Sequence, residues 1–353
     1  MTGNVSIDIG LENIWRCWLL FRKGKKKTIE LEKFQYHLVR ELLNLHEDLD
    51  SGKYAHGQYQ TFMVHDPKRR EISVAPIRDR IIHRIIYEHL EANFDQTFSY
   101  DIWSCRMGKG LHGAIERVQT LRQKYPNAWI FRADVHKFFD HVHHGTLKKL
   151  LRRKILDKKT LQLLDVIIDS HSTSNKTNQP SSVLPSKSYH AAVTEQNRTE
   201  QNRTEQNRTG IPIGNLTSQI FANIYLNELD RFVQHTLKPL AYVRYGDDFL
   251  IFTSSKEECE KVRACSEAFL AEQLFLTLHC KRNLILPPKV SLRFLGVEFF
   301  VEGRRLMKNN RKKVVEKLNN INAGSYSGLV MKNDSGFMKT YLWASVGVID
   351  ESL

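Results

Sequence analysis

The chain has 353 residues, 41% of them hydrophobic, enough to bury a core in two or three subdomains. Its 53 Lys and Arg against 39 Asp and Glu leave a net charge of +14, which points to a polyanionic partner, nucleic acid ahead of an anionic membrane surface. Five scattered cysteines (Cys17, Cys105, Cys259, Cys265, Cys280) form no CxxC pair, which argues against a zinc ribbon or a disulfide framework, and no apolar run approaches the roughly 18 residues of a membrane span.

Asp8, Glu12 and Arg16 interrupt the first apolar residues, so no signal-peptide core is read there, and a reducing cytoplasm is the expected compartment. Helical spacing over residues 11–49 (Leu11, Ile14, Trp15, Trp18, Leu19, then Phe34, Leu38, Leu42, Leu45) predicts a helical region over 1–60. The basic patch Arg22–Lys27 inside it suits a solvated loop and a phosphate contact equally. Thr61–Val64 and Glu71–Pro76 read as two strands around Lys68-Arg69-Arg70, three cations at a tip that can meet a polyphosphate. A helix follows Arg78-Asp79-Arg80, with Ile81, Ile82, Ile85, Ile86 and Leu90 on its apolar face and Asp79 as a cap or a partner of its neighbours. Ser104–Gly110, small and basic, precedes a helix over 111–125, and suits either a phosphate site or a plain connection.

Trp129–Val142 reads as a buried strand that delivers Asp134 at its C-terminal end, beside the aromatic pair Phe138-Phe139. His136, His141, His143 and His144 lack the spacing of a zinc site, which leaves them solvent-facing or phosphate-facing roles. Helices are predicted at 147–155 and 161–169. Residues 170–209 then turn polar and low in complexity, with Thr-Glu-Gln-Asn-Arg repeated from Thr194 to Arg208, and predict a disordered insertion. Gly210–Gln219 is a Gly-containing loop that opens an amphipathic helix running to Asp230. Next, Ala241–Phe252 places the adjacent acids Asp247 and Asp248 at the tip of a hairpin. Two neighbouring anions repel and ask for a hard divalent cation; alone, they also suit an ordinary Asp-rich turn. Asp134 changes that balance, because three carboxylates from two adjacent strands can hold two Mg²⁺ for an in-line phosphoryl displacement. A helix over 257–274, a strand over Phe275–Lys281, a hairpin over Ser291–Phe300 and a basic, helical tail from Arg304 (Val314, Val315, Leu318, Ile321) complete the reading.

In this order, a strand ending in Asp134 with Lys-Phe-Phe139 after it, a Gly-Asn-x-x-Ser-Gln loop, Tyr245-Gly-Asp-Asp248 and Phe294-Leu-Gly296, the chain resembles a reverse transcriptase over about three-quarters of its length. The resemblance implies an α+β right-hand polymerase whose palm is an antiparallel, RRM-like sheet with helices. Its expected parts are an N-terminal helical region (1–60), fingers (61–128), palm (129–169 and 210–302) interrupted by the insertion (170–209), and a short helical thumb (303–353). Ile213-Gly-Asn-Leu-Thr-Ser-Gln219 departs from the Gln-Gly-x-x-x-Ser-Pro of retroviral and intron-encoded enzymes and looks like the diversity-generating retroelement variant. The length, with no room for integrase, ribonuclease H or maturase domains, agrees with that subgroup.

Carried over by residue, the resemblance implies Asp134, Asp247 and Asp248 as the carboxylates for two Mg²⁺ (or Mn²⁺), with the Val135 carbonyl as a further ligand. Phe139 matches the aromatic that excludes a ribose 2′-hydroxyl; Arg70 and Lys68 match cations on the incoming triphosphate. Ile213 and Gln219 lie along the nascent-pair loop, where Ile213 implies relaxed fidelity opposite template adenine. Lys281, or else Arg282, matches the cation on the leaving pyrophosphate, and Phe294, Leu295 and Gly296 match the primer grip. The implied partners are an RNA template, a DNA or RNA primer, deoxynucleoside triphosphates and a small basic accessory-protein oligomer, without a membrane. Retron-like, group II intron-like or phage-defence enzymes are the alternatives, and an inert RNA-binding relative is the one outside catalysis.

Overall fold

A computed structural model describes residues 6–65, 69–173 and 208–318, together with 328, 330–334 and 338. In chain order the helices are α1 (Leu11–Arg22), α2 (Ile29–Tyr36), α3 (Leu38–Asp50), α4 (Ile77–Phe94), α5 (Leu111–Lys124) and α6 (Phe138–His141). They continue as α7 (His144–Arg152), α8 (Lys158–Asp169), α9 (Leu216–Arg231), α10 (Lys256–Leu274) and α11 (Lys308–Lys317). The strands are β1 (Gln60–His65), β2 (Arg69–Val74), β3 (Trp129–Asp134), β4 (Ala241–Tyr245), β5 (Asp248–Thr253), β6 (Leu284–Leu286), β7 (Leu292–Phe294), β8 (Val297–Phe299) and β9 (Arg304–Leu306). The chain divides into two compact units, one of Met1–Ser99, His136–Asp230 and Phe269–Thr277, the other of Tyr100–Val135, Arg231–Ala268 and Leu278–Leu353.

The first unit is mainly helical. Ile81, Ile82, Ile85 and Ile86 form one broad buried face of α4, and Arg16 of α1 pairs with Glu88 at 2.5 Å. Thr28 caps α2 by accepting the Leu31 N–H, and Asp157 caps α8 by accepting that of Thr160. β1 and β2 pair antiparallel, with Val64 opposite Arg70. Asp79 does not cap α4: its carboxylate is buried and accepts from the Tyr54 hydroxyl (2.7 Å) and the Gly57 N–H (3.0 Å).

The second unit carries an antiparallel sheet in the order β4-β5-β3-β6. β3 and β5 are its inner strands, and the run Phe249–Phe252 is wholly buried, as a strand covered on both faces requires. A second sheet, β7-β8-β9, shares a core with α5 and one face of the first sheet through Ile115, Val118, Ile130, Leu250, Phe252, Phe294, Val297 and Phe299.

Two expectations are corrected. Phe275–Lys281 is not a strand: Phe275 sits at φ +53°, and the segment adds only the isolated bridge Leu278–Val135 before the edge strand forms at β6. The histidines are not all outward-facing, since His143 caps α7 through the Thr146 N–H and buried His144 meets the Gly210 carbonyl at 2.7 Å. Most of 170–209 lies outside the described residues. Its two ends meet, with the Thr173 N–H donating to the Thr209 carbonyl at 2.8 Å.

Candidate active site

Tyr245 faces Asp248 in the β4–β5 register, so Gly246 and Asp247 form a two-residue turn. Gly246 lies at φ +65° while Asp247 is outside the positive-φ region, the pattern of a type II′ hairpin with glycine first. Asp248 opens β5 directly opposite Asp134, the last residue of β3, so the two carboxylates leave the same face of the sheet as cross-strand neighbours. Asp247 joins them. Burial pushes its carboxyl up to about 7, and the negative charges of Asp134 and Asp248 and a hydrogen bond with Asp134 push the same way.

The surrounding groups bind this trio to the sheet. Buried Val135 donates its N–H to the Asp247 carbonyl at 3.3 Å, and the Asp134 carbonyl accepts from His279 at 2.8 Å. Arg282 forms an ion pair with an Asp134 carboxylate oxygen, whereas Lys281 is exposed and gives its backbone N–H to His279 Nδ1 at 3.2 Å. Arg132 lies two residues before Asp134, on the same face; burial lowers its pKa, and Asp248 and Asp134 hold it up.

The donor set suits a hard divalent cation, because three carboxylates and a backbone carbonyl offer only oxygen, and Asp247 near 7 marks a trio short of positive charge. Among the described residues no three His, Cys, Asp or Glu side chains close into a finished metal cage. Arg282 holds an Asp134 oxygen that a cation would otherwise take.

In the same unit, Leu295 and Gly296 turn β7 into β8 at φ +50° and +78°, with Phe294 opposite Val297. Both turn residues at positive φ is the type I′ form, and leucine there is strained. Phe294 is buried, and the Gly296 carbonyl accepts from the Met307 N–H (3.1 Å) and Asn310 Nδ2 (3.0 Å), which ties the turn to the start of α11.

The other unit holds the remaining candidates. Lys137 at φ +44° turns the chain into α6, where half-buried Phe139 packs edge-on to Phe138 and accepts the Ile211 N–H at 2.8 Å. The Ile213 carbonyl accepts the Ser73 N–H (3.1 Å), and Asn215 Nδ2 donates to the Ser73 carbonyl (2.8 Å), so the loop clasps β2 from both sides of one residue. Gly214 sits at φ +106°, where a Cβ would lie 2.9 Å from Ile72 Cγ2. Gln219 and Arg70 are exposed on α9 and β2; Lys68 lies outside the described residues. Reading the sequence missed Arg132 and Arg244, and it took Ser104 only as the start of a small, basic loop, whereas its hydroxyl accepts the Gly246 N–H at 2.8 Å. A cation inside an apolar strand run was the available signal for the two arginines.

Residues 64–299 match the family model for reverse transcriptase (RNA-dependent DNA polymerase). That span is well over half of the 353 residues, and the chain belongs to the reverse transcriptase family, a class of RNA-directed DNA polymerases with the α+β right-hand fold. It is 26% identical to protein YkfC of Escherichia coli over 312 residues, covering 77% of this chain and 74% of that one. It is 23% identical to the group II intron-encoded protein LtrA of Lactococcus lactis over 315 residues, covering 71% of this chain but 48% of LtrA. A solved telomerase from Candida albicans, in complex with a fragment of telomeric RNA, aligns over 75% of this chain and 51% of its own at 14% identity and a TM-score of 0.44. No described helix is long and apolar enough to cross a membrane.

Proposed function

We propose that this chain copies RNA into DNA, adding deoxynucleotides to a primer 3′ end at Asp134, Asp247 and Asp248. The observation that carries the reading is the cross-strand pair Asp134–Asp248 with Asp247 drawn into the same electrostatic cluster. The three carboxylates and the Val135 carbonyl would hold two divalent ions, Mg²⁺ or Mn²⁺, which supply positive charge at the attacking and leaving oxygens when bound. The protein's own share is placement. Arg282, rather than Lys281, is the cation already drawn to the acids, and its donors suit a leaving pyrophosphate. Phe139 is assigned to exclusion of the ribose 2′-hydroxyl, Arg70 and Lys68 to the triphosphate, Ile213 and Gln219 to the nascent pair, and Phe294–Gly296 to the primer.

Within this activity, the Ile213-Gly-Asn-Leu-Thr-Ser-Gln219 loop supports error-prone copying at template adenine, in a diversity-generating retroelement. The likeness to LtrA favours an intron-type setting as the second reading. One experiment addresses both levels. The full chain, a primed RNA template, deoxynucleotides and Mg²⁺ should give extended primer, and Asp247→Ala with Asp248→Ala should abolish it; extension surviving that double change overturns the assignment. Sequenced products with errors concentrated opposite adenine fit the first setting, and evenly accurate products fit the second.

A further inference from the structure

The turn that carries Asp247 is gripped by two residues outside the carboxylate set. Arg244 faces Phe249 across the hairpin, and its backbone groups point away from β5. Its N–H donates to the Asp101 carbonyl (3.0 Å), and its carbonyl accepts the Trp103 N–H (3.0 Å). Residues 101–103 therefore run parallel beside β4, with Ile102 bridged to Arg244. Two residues further along both segments, Ser104 comes level with Gly246, and its hydroxyl accepts the Gly246 N–H at 2.8 Å. The Arg244 guanidinium, on a residue with no exposed surface, reaches forward and donates to the Gly246 carbonyl at 2.9 Å. Both backbone groups of Gly246 are thus held from the outer edge, while Val135 holds the Asp247 carbonyl from the other side.

Two-residue turns of types I′ and II′ differ chiefly by rotation of the peptide that joins their central residues. Here that peptide runs from the Gly246 carbonyl to the Asp247 N–H. Its rotation keeps Gly246 at positive φ and carries Asp247 there too, a region that aspartate tolerates better than most residues. Repulsion among the three carboxylates favours movement of Asp247 away from the other two. The Arg244 bond separates the two states, since rotation turns the Gly246 carbonyl away from a buried cation that then loses an acceptor. The Ser104 bond holds the preceding peptide as a fixed base for the turn.

We propose that Arg244, supported by Ser104, is a positioning residue that locks the Gly246–Asp247 peptide and so aims the Asp247 carboxylate at the metal. The inference rests on the reading of Asp247 as a metal ligand. A lysine at 244 keeps the charge but lacks the fork that spans from β4 to the turn.

The test is Mn²⁺ binding to the full chain by electron paramagnetic resonance, with primer extension run beside it. Arg122→Lys is the control, because Arg122 is also a buried guanidinium on backbone carbonyls, those of Pro288 and Val290, but on α5 rather than at the turn. Arg244→Lys should weaken Mn²⁺ binding and lower kcat by about 10- to 100-fold, with KM for deoxynucleotide retained, and Ser104→Ala should do so more mildly. Arg122→Lys should lower Tm and leave Mn²⁺ affinity in place. If Arg244→Lys fails to fold, Ser104→Ala, which removes one neutral hydroxyl, decides. Wild-type Mn²⁺ affinity in both turn variants, equal loss in the Arg122 control, or binding that does not depend on Asp247 overturns the proposal. A protein that binds Mn²⁺ through Asp247 yet extends no primer would overturn the proposed activity instead and leave the positioning role standing on the binding data.

Discussion

His83 is a buried histidine that the fold keeps uncharged. Burial first, then the neighbouring His56 and Arg80, push it down to about 3, while the Asn215 side chain acts in the opposite sense. Its Nε2 lies 3.1 Å from His56 Nε2, and His56 Nδ1 lies 2.6 Å from the Gly57 carbonyl. With His56 donating to that carbonyl, its Nε2 accepts, and neutral His83 is the donor between them. The folded value lies below the ordinary one near 6.5, so the unfolded chain takes up a proton between pH 6.5 and 3 that the folded chain refuses. Stability from this site is complete above pH 6.5 and falls as the pH drops through that window, by about 2 kcal/mol at pH 5. Thermal unfolding between pH 7 and pH 5 should show the loss. His83→Gln should be less stable at pH 7 but flatter in its pH response, and an unchanged slope assigns the loss to other groups. The same side chain approaches Asn215, whose amide clasps β2 beside Ile213, so a residue remote in sequence supports the Ile213–Gln219 loop.

At the scale of elements, hairpins that turn within two residues were legible because their glycines and flanking apolar residues are local signals. Tyr245–Asp248 and Phe294–Val297 form the turns their sequences announce. The pairing of Asp134 with Asp248 was legible in kind but not in register, since register depends on which distant strands meet. The edge strand was misplaced for a similar reason. Phe275–Lys281 alternates like a strand, yet the three residues Leu284–Leu286, just before Pro287, provide the pairing to β3. Buried Arg122 was not legible, because the Pro288 and Val290 carbonyls that receive it come from far along the chain; for Arg244 the apolar run around it was a signal, but the segment 101–103 that pairs beside it was not. The β7–β8 turn gives the element-scale prediction. Gly296 is at φ +78°, and a Cβ there would lie 2.4 Å from Asn310 Nδ2, the group that holds the turn to α11. Gly296→Ala should therefore cost about 1–3 kcal/mol of stability and weaken primer-template binding, read by denaturation and by fluorescence anisotropy. Unaltered primer affinity in a destabilised variant would remove the turn from the primer site.

For the molecule as a whole, the polymerase reading spreads over two units whose candidate residues alternate along the chain: Asp134 and Val135 in one, Phe139 and Ile213 in the other, then Asp247 and Asp248 back in the first. Such an arrangement tolerates a long insertion only where the two chain ends at its base already meet. Thr173 and Thr209 satisfy that condition. The Thr173 N–H donates to the Thr209 carbonyl at 2.8 Å, the Thr173 hydroxyl contacts the Asp140 carbonyl at 2.7 Å and that of Thr209 at 3.0 Å, and Gly210 donates to Val142 at 2.9 Å. The His143–Thr209 bridge continues the junction, and Ile211 reaches the Phe139 carbonyl from it. These bonds lie wholly in residues on either side of 174–207, and they run directly into the segment that presents Phe139. Closing a shorter loop between ends already in contact costs little entropy, about 0.6 kcal/mol for each doubling of loop length in the longer chain's disfavour. Replacing residues 174–207 with a short Gly-Ser linker should therefore leave the fold, the Tm to within a few degrees, and primer extension in place. Loss of extension with Tm retained would give the Thr-Glu-Gln-Asn-Arg tract a part in substrate handling, whereas Thr209→Pro, which distorts the junction without shortening the chain, should lower both Tm and extension.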